Sequence, residues 1–225
     1  MSISPNVFDY AIVVFLAVAG IVELLLMPAF RKQRVRGYAY MMSYLWISGI
    51  GVLVQWSLTG RPWSALFLGP APAWRLGLGF AIAAGYVAYM TRHHSILIKP
   101  KVRPQVARAM ASVEWMMPRT SGERIMCAGL SVAAGTNEEI IFRGFALALL
   151  GHFVGLWGAI PLSAVAFGLG HAYQDRKAIL PTTVFGVAMT GLVLISGSLF
   201  PAIALHIFND LVLTDAGYYA FADPP

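Results

Sequence analysis

Apolar residues along this chain fall into long blocks, several of which reach the roughly 20 residues a membrane-spanning helix needs. The blocks predict helices over residues 7–30, 38–58, 75–90, 124–150, 156–171 and 179–195, with a last helix starting at Pro201. Gly197-Ser198 breaks the chain before that last helix, and a short loop at residues 151–155 separates the fourth and fifth. Ser121-Gly122-Glu123-Arg124 reads as the entry to the fourth. Gly49 and Gly51 in the second helix suit close helix contact. So do the small residues of the third, Gly77, Gly79, Ala81, Ala83, Ala84 and Gly85. The first block lacks a basic leader and a small-residue cleavage site, which predicts a retained helix. The fold class expected is all-α, a polytopic membrane helical bundle.

The polar stretches between the blocks orient them. Arg31-Lys32-Gln33-Arg34-Val35-Arg36 and the long segment 92–124 are both basic, two spans apart, and the positive-inside rule places both on the cytoplasmic side. Residues 60–73 are rich in Pro and Gly and flanked by Trp56, Trp63 and Trp74, as expected of an outer interfacial loop with aromatic anchors. Between Pro104 and Pro118, Val106, Ala109, Met110, Val113 and Met117 recur at helical spacing. That pattern fits either an amphipathic helix on the membrane surface or a solvated linker. His93 and His94 fall at an interface and suggest no chemistry.

Composition supports the membrane reading. The 225 residues are 58% hydrophobic and only 12% charged, with mean hydropathy +0.70, whereas soluble domains carry about 25% charged residues. The net charge of +6 is dispersed in loops between apolar blocks, so nucleic acid is not an expected partner and the lipid bilayer is. Cys127, the single cysteine, lies in an apolar block and is read as a packing residue.

Against that background the charged groups inside apolar blocks stand out, because each costs roughly 3 kcal/mol or more at the bilayer centre unless paired or used. In the second half of the chain these are Glu138, Glu139, Arg143, His171, His206 and Asp210, joined by the neutral Asn209. Glu23, in the first block, is a weaker candidate near the interface. With residues about 100° apart on a helix, Glu139 and Arg143 lie about 40° apart and make an i,i+4 ion pair. Glu138 points about 100° away from Glu139, without a partner nearby in sequence. Arg143 is therefore expected to hold Glu139 and leave Glu138 free for chemistry. His206 and Asp210 share one helix face, and Asn209 lies within reach of it. Groups from three helices should converge on a protein-lined, hydrated cavity.

Two chemistries fit such a set, and both hydrolyse an amide. A carboxylate and a histidine can activate water while a second histidine and an amide or acid bind an oxyanion. Alternatively Glu138, His171, His206 and Asp210 hold a divalent metal such as Zn²⁺ and use its bound water. Ser131, Ser163 and Cys127 have no activating base in the sequence and are not expected as nucleophiles.

Three motifs in order carry a family resemblance: Glu138-Glu139-Ile140-Ile141-Phe142-Arg143 followed by Gly144, Phe167 to His171, and His206 to Asp210. They match the EExxxR, FxxxH and Hxxx(N/D) motifs, and the chain over about residues 118–213 resembles the CPBP family of intramembrane proteases. These are also called CAAX-protease and bacteriocin-processing, or Abi, proteins. The resemblance implies a bundle of about seven to eight transmembrane helices and hydrolysis of a peptide bond in a membrane-associated protein or peptide. It also implies Glu138 and His171 as water activators and His206 and Asp210 as oxyanion stabilisers, while Phe167 by itself reads as wall packing. The eukaryotic prenyl-protein members carry Asn where this chain has Asp210. An ionised Asp is a poor oxyanion donor, so Asp210 is protonated, Asn209 substitutes for it, or a metal is present.

The expected division is residues 1–117 as N-terminal helices with a basic loop and residues 118–225 as the catalytic core. The expected location is a bacterial cytoplasmic membrane, with the site opening to the cytoplasm. The alternatives are a non-catalytic membrane scaffold or immunity protein and, third, a transporter or proton relay. A transporter would predict an inverted repeat that the sequence does not display. At residue level, Glu139 with Arg143 could serve as a purely structural pair, and His206 with Asp210 as an intrahelical one.

Overall fold

The long Ser121–Gly170 stretch sets the architecture. It is helical throughout its 50 residues, and a straight helix of that length would run about 75 Å, more than twice the ~30 Å hydrocarbon core. Gly155, with φ +70°, breaks it, and the second arm folds back on the first. Ser163 consequently donates a hydrogen bond to the Phe142 carbonyl at 2.7 Å, across 21 residues of sequence. This reversal falls at the end of the loop expected at residues 151–155.

The computed structural model describes residues 4–222, except for the side chains of Ala19, Glu23, Leu24 and Met27. The expectation for Glu23 thus falls outside the described residues. Every regular element among them is helical. The α-helices are α1 (Val7–Phe30), α2 (Arg34–Leu58), α3 (Ala73–Leu97), the short α4 (Arg103–Ala109), α5 (Ser121–Glu138), α6 (Leu147–Gly170), α7 (Ile179–Ser196) and α8 (Phe200–Phe221). Residues 139–146, between α5 and α6, form a π-helical segment. Three stretches among the described residues, Arg34–Leu58, Ser121–Gly170 and Arg176–Ser196, are long and apolar enough to cross a membrane.

Local sequence explains the helix ends. Thr120 caps α5 by accepting a hydrogen bond from the Glu123 amide at 3.2 Å, and the Glu123 carboxylate reaches back to the Arg119 amide at 2.7 Å. Gly197, with φ +71°, ends α7, and Pro201 sits in the first turn of α8.

Small residues then bring helices together. A Cβ on Gly49 would collide with the Asn137 side chain, which locks α2 against α5. A Cβ on Gly135 would sit 2.6 Å from the Ile207 backbone nitrogen, so α5 and α8 touch backbone to backbone. The pairs Arg34–Glu123 and Gly49–Asn137 make α2 and α5 parallel. Arg124–Asp215 and Gly135–Ile207 make α5 and α8 antiparallel. Along α3 only Gly79 and Ala83 of the six small residues are buried. Gly77, Ala81, Ala84 and Gly85 face outward, because the helix is covered on one side only.

Three other expectations change. Trp56 is fully buried: its indole N–H reaches the Pro62 carbonyl at 3.2 Å and Arg61 stacks on its face, whereas Trp63 and Trp74 are exposed as anchors should be. The apolar positions after Pro104 do not form one surface helix. They divide between α4 and a 3₁₀ segment, Ala111–Met116, with Val106 and Met117 buried, Met110 and Val113 half-buried and Ala109 exposed. His94 has a partner, Asp215, at 2.8 Å.

Candidate active site

The π-helical segment is the backbone of the site. A π turn closes i→i+5 bonds and is wider than an α turn, a deviation frequently found at functional sites. The 100° spacing assumed for residues 138–143 therefore does not hold beyond Glu138, but Arg143 still returns beside Glu139, with Nη1 3.0 Å from Oε1. Both side chains are sealed, at 1% and 0% exposure. The guanidinium lies 4.1 Å over the Phe167 ring. A cation against a ring in a desolvated setting gains about 2 kcal/mol. Neither Arg143 Nη atom makes a hydrogen bond among the described residues, so charge and stacking hold it.

Glu139 has a second partner. Its Oε1 also lies 2.8 Å from His206 Nδ1. The acid thus fixes both Arg143 and the ring of His206, which puts Nε2 on the opposite side, facing Glu138 Oε2 at 3.8 Å and Asp210 Oδ2 at 3.7 Å. His171 is oriented in the same way: Nδ1 lies 2.9 Å from the Phe167 carbonyl and can only donate to it, so Nε2 faces Glu138 Oε2 at 4.0 Å. That Glu138 oxygen is buried and makes no hydrogen bond among the described residues.

The structure thus gathers Glu138, Glu139, Arg143, His171, His206, Asp210 and Phe167 into one cluster. Phe167 is more than wall packing in this arrangement. It lies under Arg143 and packs on both histidines, at 4.6 Å from the His171 ring and 6.0 Å from that of His206. Asn209 belongs to the cluster through its neighbour: its Nδ2 donates to Asp210 Oδ1 at 3.2 Å, and its Oδ1 accepts from Tyr86 Oη at 2.7 Å. Ser131 and Ser163 spend their hydroxyls on backbone carbonyls, and Cys127 is buried in packing.

Two cavities meet at the cluster. One, of about 380 Å³, is lined by His206, Asn209, Asp210 and Thr182 and roofed by Met110, Val113, Met116 and Met117. The other, of about 520 Å³, is walled by α1 residues such as Val13 and Leu16 and by Ile141, Phe145 and Leu149. Glu138, Phe167, His171 and Tyr173 line both.

No group of three or more His, Cys, Asp or Glu residues is arranged to hold a metal ion among the described residues. The nearest nitrogen–oxygen separations toward a shared centre are 3.7, 3.8 and 4.0 Å. Tetrahedral Zn²⁺ with bonds of ~2.0–2.1 Å would draw its donors to about 3.3 Å from one another. The side chains as they stand do not fit the ion.

Sequence reasoning missed Tyr86, on α3, and Phe185, whose ring on α7 packs edge-on against His206 at 5.2 Å. Neither belongs to a motif. The one available signal for Tyr86 is a phenol near the middle of an apolar span, where its O–H needs a partner.

Residues 120–212 match the family model described as Rce1-like, type II CAAX prenyl endopeptidase Rce1-like, a segment that contains all three motifs. No curated protein and no solved structure matches the chain.

Proposed function

We propose that this integral membrane chain, whose residues 120–212 belong with the type II CAAX prenyl endopeptidases, hydrolyses a peptide bond of a membrane-associated protein or peptide with a water activated by Glu138. One observation carries the reading: Glu138 Oε2, with no hydrogen bond of its own, faces the Nε2 atoms of two histidines that are each fixed from behind. Two acceptors 4.0 Å apart, Glu138 Oε2 and His171 Nε2, leave the spacing at which one water would donate to both.

In this reading Glu138 takes a proton from that water as the oxygen attacks the carbonyl carbon of the scissile bond. His171, with its Nδ1–H committed to the Phe167 carbonyl, orients the water. The oxyanion that forms accepts from His206 Nε2 and from the second N–H of Asn209, since Asp210 in its ionised form has no proton to give. Asp210 and Glu139 flank an imidazolium at His206 with negative charge. The tetrahedral intermediate collapses, the carbon–nitrogen bond breaks, and the amine leaves with the proton held by Glu138. The apolar chamber beside α1 takes the membrane-embedded part of the substrate, and the cavity under the methionines takes the polar chain around the scissile bond.

We place the chain in the membrane with seven crossings: α1, α2, α3, α5 with its π extension, the returning arm of α6, α7 and α8. Alternation requires α2 parallel to α5, and α8 antiparallel to α5. The contacts above agree with both. It puts the basic residues 31–36 and 92–124 and the mouth of the site on the cytoplasmic side. Residues 118–225 form the catalytic core, and residues 1–117 pack around it.

The test is cleavage of a quenched membrane-peptide library by protein purified in detergent, beside Glu138→Ala. Cleavage by the wild type that is lost in Glu138→Ala supports the reading. Equal cleavage by both overturns the assignment of Glu138 as the base.

A further inference from the structure

We infer that Tyr86, from the part of the chain outside the family match, is a positioning residue of this site, acting through Asn209 on Asp210. The inference rests on the hydrolase reading. Tyr86 Oη lies 2.7 Å from Asn209 Oδ1, Asn209 Nδ2 lies 3.2 Å from Asp210 Oδ1, and Asp210 Oδ2 lies 3.7 Å from His206 Nε2.

The direction of this chain of groups follows from what each can donate. An ionised Asp210 only accepts, so the amide must turn an N–H toward it. The opposite orientation would set Asn209 Oδ1 against a carboxylate oxygen, acceptor to acceptor. With Nδ2 committed to Asp210, Oδ1 is left facing Tyr86, whose O–H is the donor that satisfies it. The phenol therefore stabilises the amide orientation that Asp210 requires, in which Asn209 presents N–H groups to the site. That orientation also holds Asp210 with one oxygen on Asn209 and the other toward His206. It further accounts for an Asp at the end of the third motif, because the neutral amide sits one residue earlier and is held between Asp210 and Tyr86.

The placement of Tyr86 is fixed by its helix. On one side of it Arg75 binds the Leu194 and Ile195 carbonyls at the end of α7, and on the other His94 binds Asp215 of α8. Tyr86 lies between these two ties, on a helix that runs parallel to α8 and packs against it.

The experiment compares wild type, Tyr86→Phe and Glu138→Ala in detergent, on a peptide the wild type cleaves. It is joined to infrared spectra of ¹³C-aspartate-labelled protein, in which the Asp210 carboxylate band is assigned by its loss in Asp210→Asn. Tyr86→Phe keeps the ring and its packing. It should lower kcat roughly tenfold with KM within about twofold, leave the melting temperature nearly unchanged and shift the Asp210 band. Wild-type kcat in Tyr86→Phe beside an inactive Glu138→Ala overturns the inference alone, as does an unmoved band. Wild-type rates in Glu138→Ala overturn the hydrolase reading and with it a role for Tyr86 in the reaction, while a shifted band would still tie Tyr86 to Asp210.

Discussion

Glu139 Oε1 is shared, 2.8 Å from His206 Nδ1 and 3.0 Å from Arg143 Nη1. One buried oxygen thereby couples an ion pair within the π segment to the orientation of a ring on α8. The expectation that Arg143 merely holds Glu139 aside describes half of this arrangement. Glu139→Gln keeps the shape and can still accept from His206, but it leaves the guanidinium without a countercharge. Removing one partner of a buried pair costs roughly 3–5 kcal/mol. Glu139→Gln should therefore melt well below wild type and lose about 10²-fold or more in peptide cleavage. Thermal denaturation in detergent and the cleavage assay read the two effects on one preparation.

The same sharing separates folding from catalysis. Replacing a whole buried pair by apolar residues of similar volume is often neutral in stability. Glu139→Leu combined with Arg143→Met should therefore recover most of the stability lost in Arg143→Met alone, with the Met side chain still packed on Phe167. It should not recover cleavage, because His206 Nδ1 loses its acceptor and Nε2 is no longer aimed at the cavity. A double variant that cleaves at the wild-type rate would show that Glu139 serves the fold alone.

Much of this was legible in the sequence because charge inside apolar blocks is costly. Glu138, Glu139, Arg143, His171, His206 and Asp210 announced themselves by location alone, and the structure brings all six together. Helix ends at Gly155 and Gly197 were readable from backbone chemistry. What could not be read has a common cause. The partner of Glu139 on α8, the phenol of Tyr86 and the edge of Phe185 depend on which helix faces which, and single-chain periodicity carries no such information. The π turn was hidden for another reason, since its residues have ordinary helical patterning. Methionines 110, 116 and 117 roof the cavity because α4 docks on α8 through contacts such as Arg103 over Tyr219. Their spacing alone pointed to a membrane surface or a linker.

The closest helix approach near the site gives a third prediction. A Cβ on Gly135 would lie 2.6 Å from the Ile207 nitrogen and 2.9 Å from its Cα, and backbone atoms cannot swing aside. Gly135→Ala must push α8 away from α5, and Ile207 adjoins His206. A loss of about 1–3 kcal/mol is expected for such overpacking, with cleavage reduced further than stability. Gly122→Ala is the control, because the nearest atom to its Cβ is 4.0 Å away. The comparison is of melting temperature and kcat for the two variants. Equal behaviour would mean that the α5–α8 approach does not set the position of His206.

Metal removal tests the water chemistry directly. Glu138 Oε2 stands 3.8 and 4.0 Å from the two Nε2 atoms, separations that suit hydrogen bonds of roughly 2.8 Å to one water and exceed the ~3.3 Å between tetrahedral zinc donors. Both histidines have their Nδ1 atoms engaged, which would also suit metal ligands, so the distances favour the metal-free chemistry and metal removal decides between the two. Prolonged dialysis against a chelator should leave peptide cleavage unchanged, and elemental analysis should find far less than one zinc per chain in the active preparation. Cleavage abolished by chelator and restored by Zn²⁺ would require the four side chains Glu138, His171, His206 and Asp210 to close in by about half an ångström around the ion. The water would then be activated by metal, with Glu138 among its ligands instead of acting as the base.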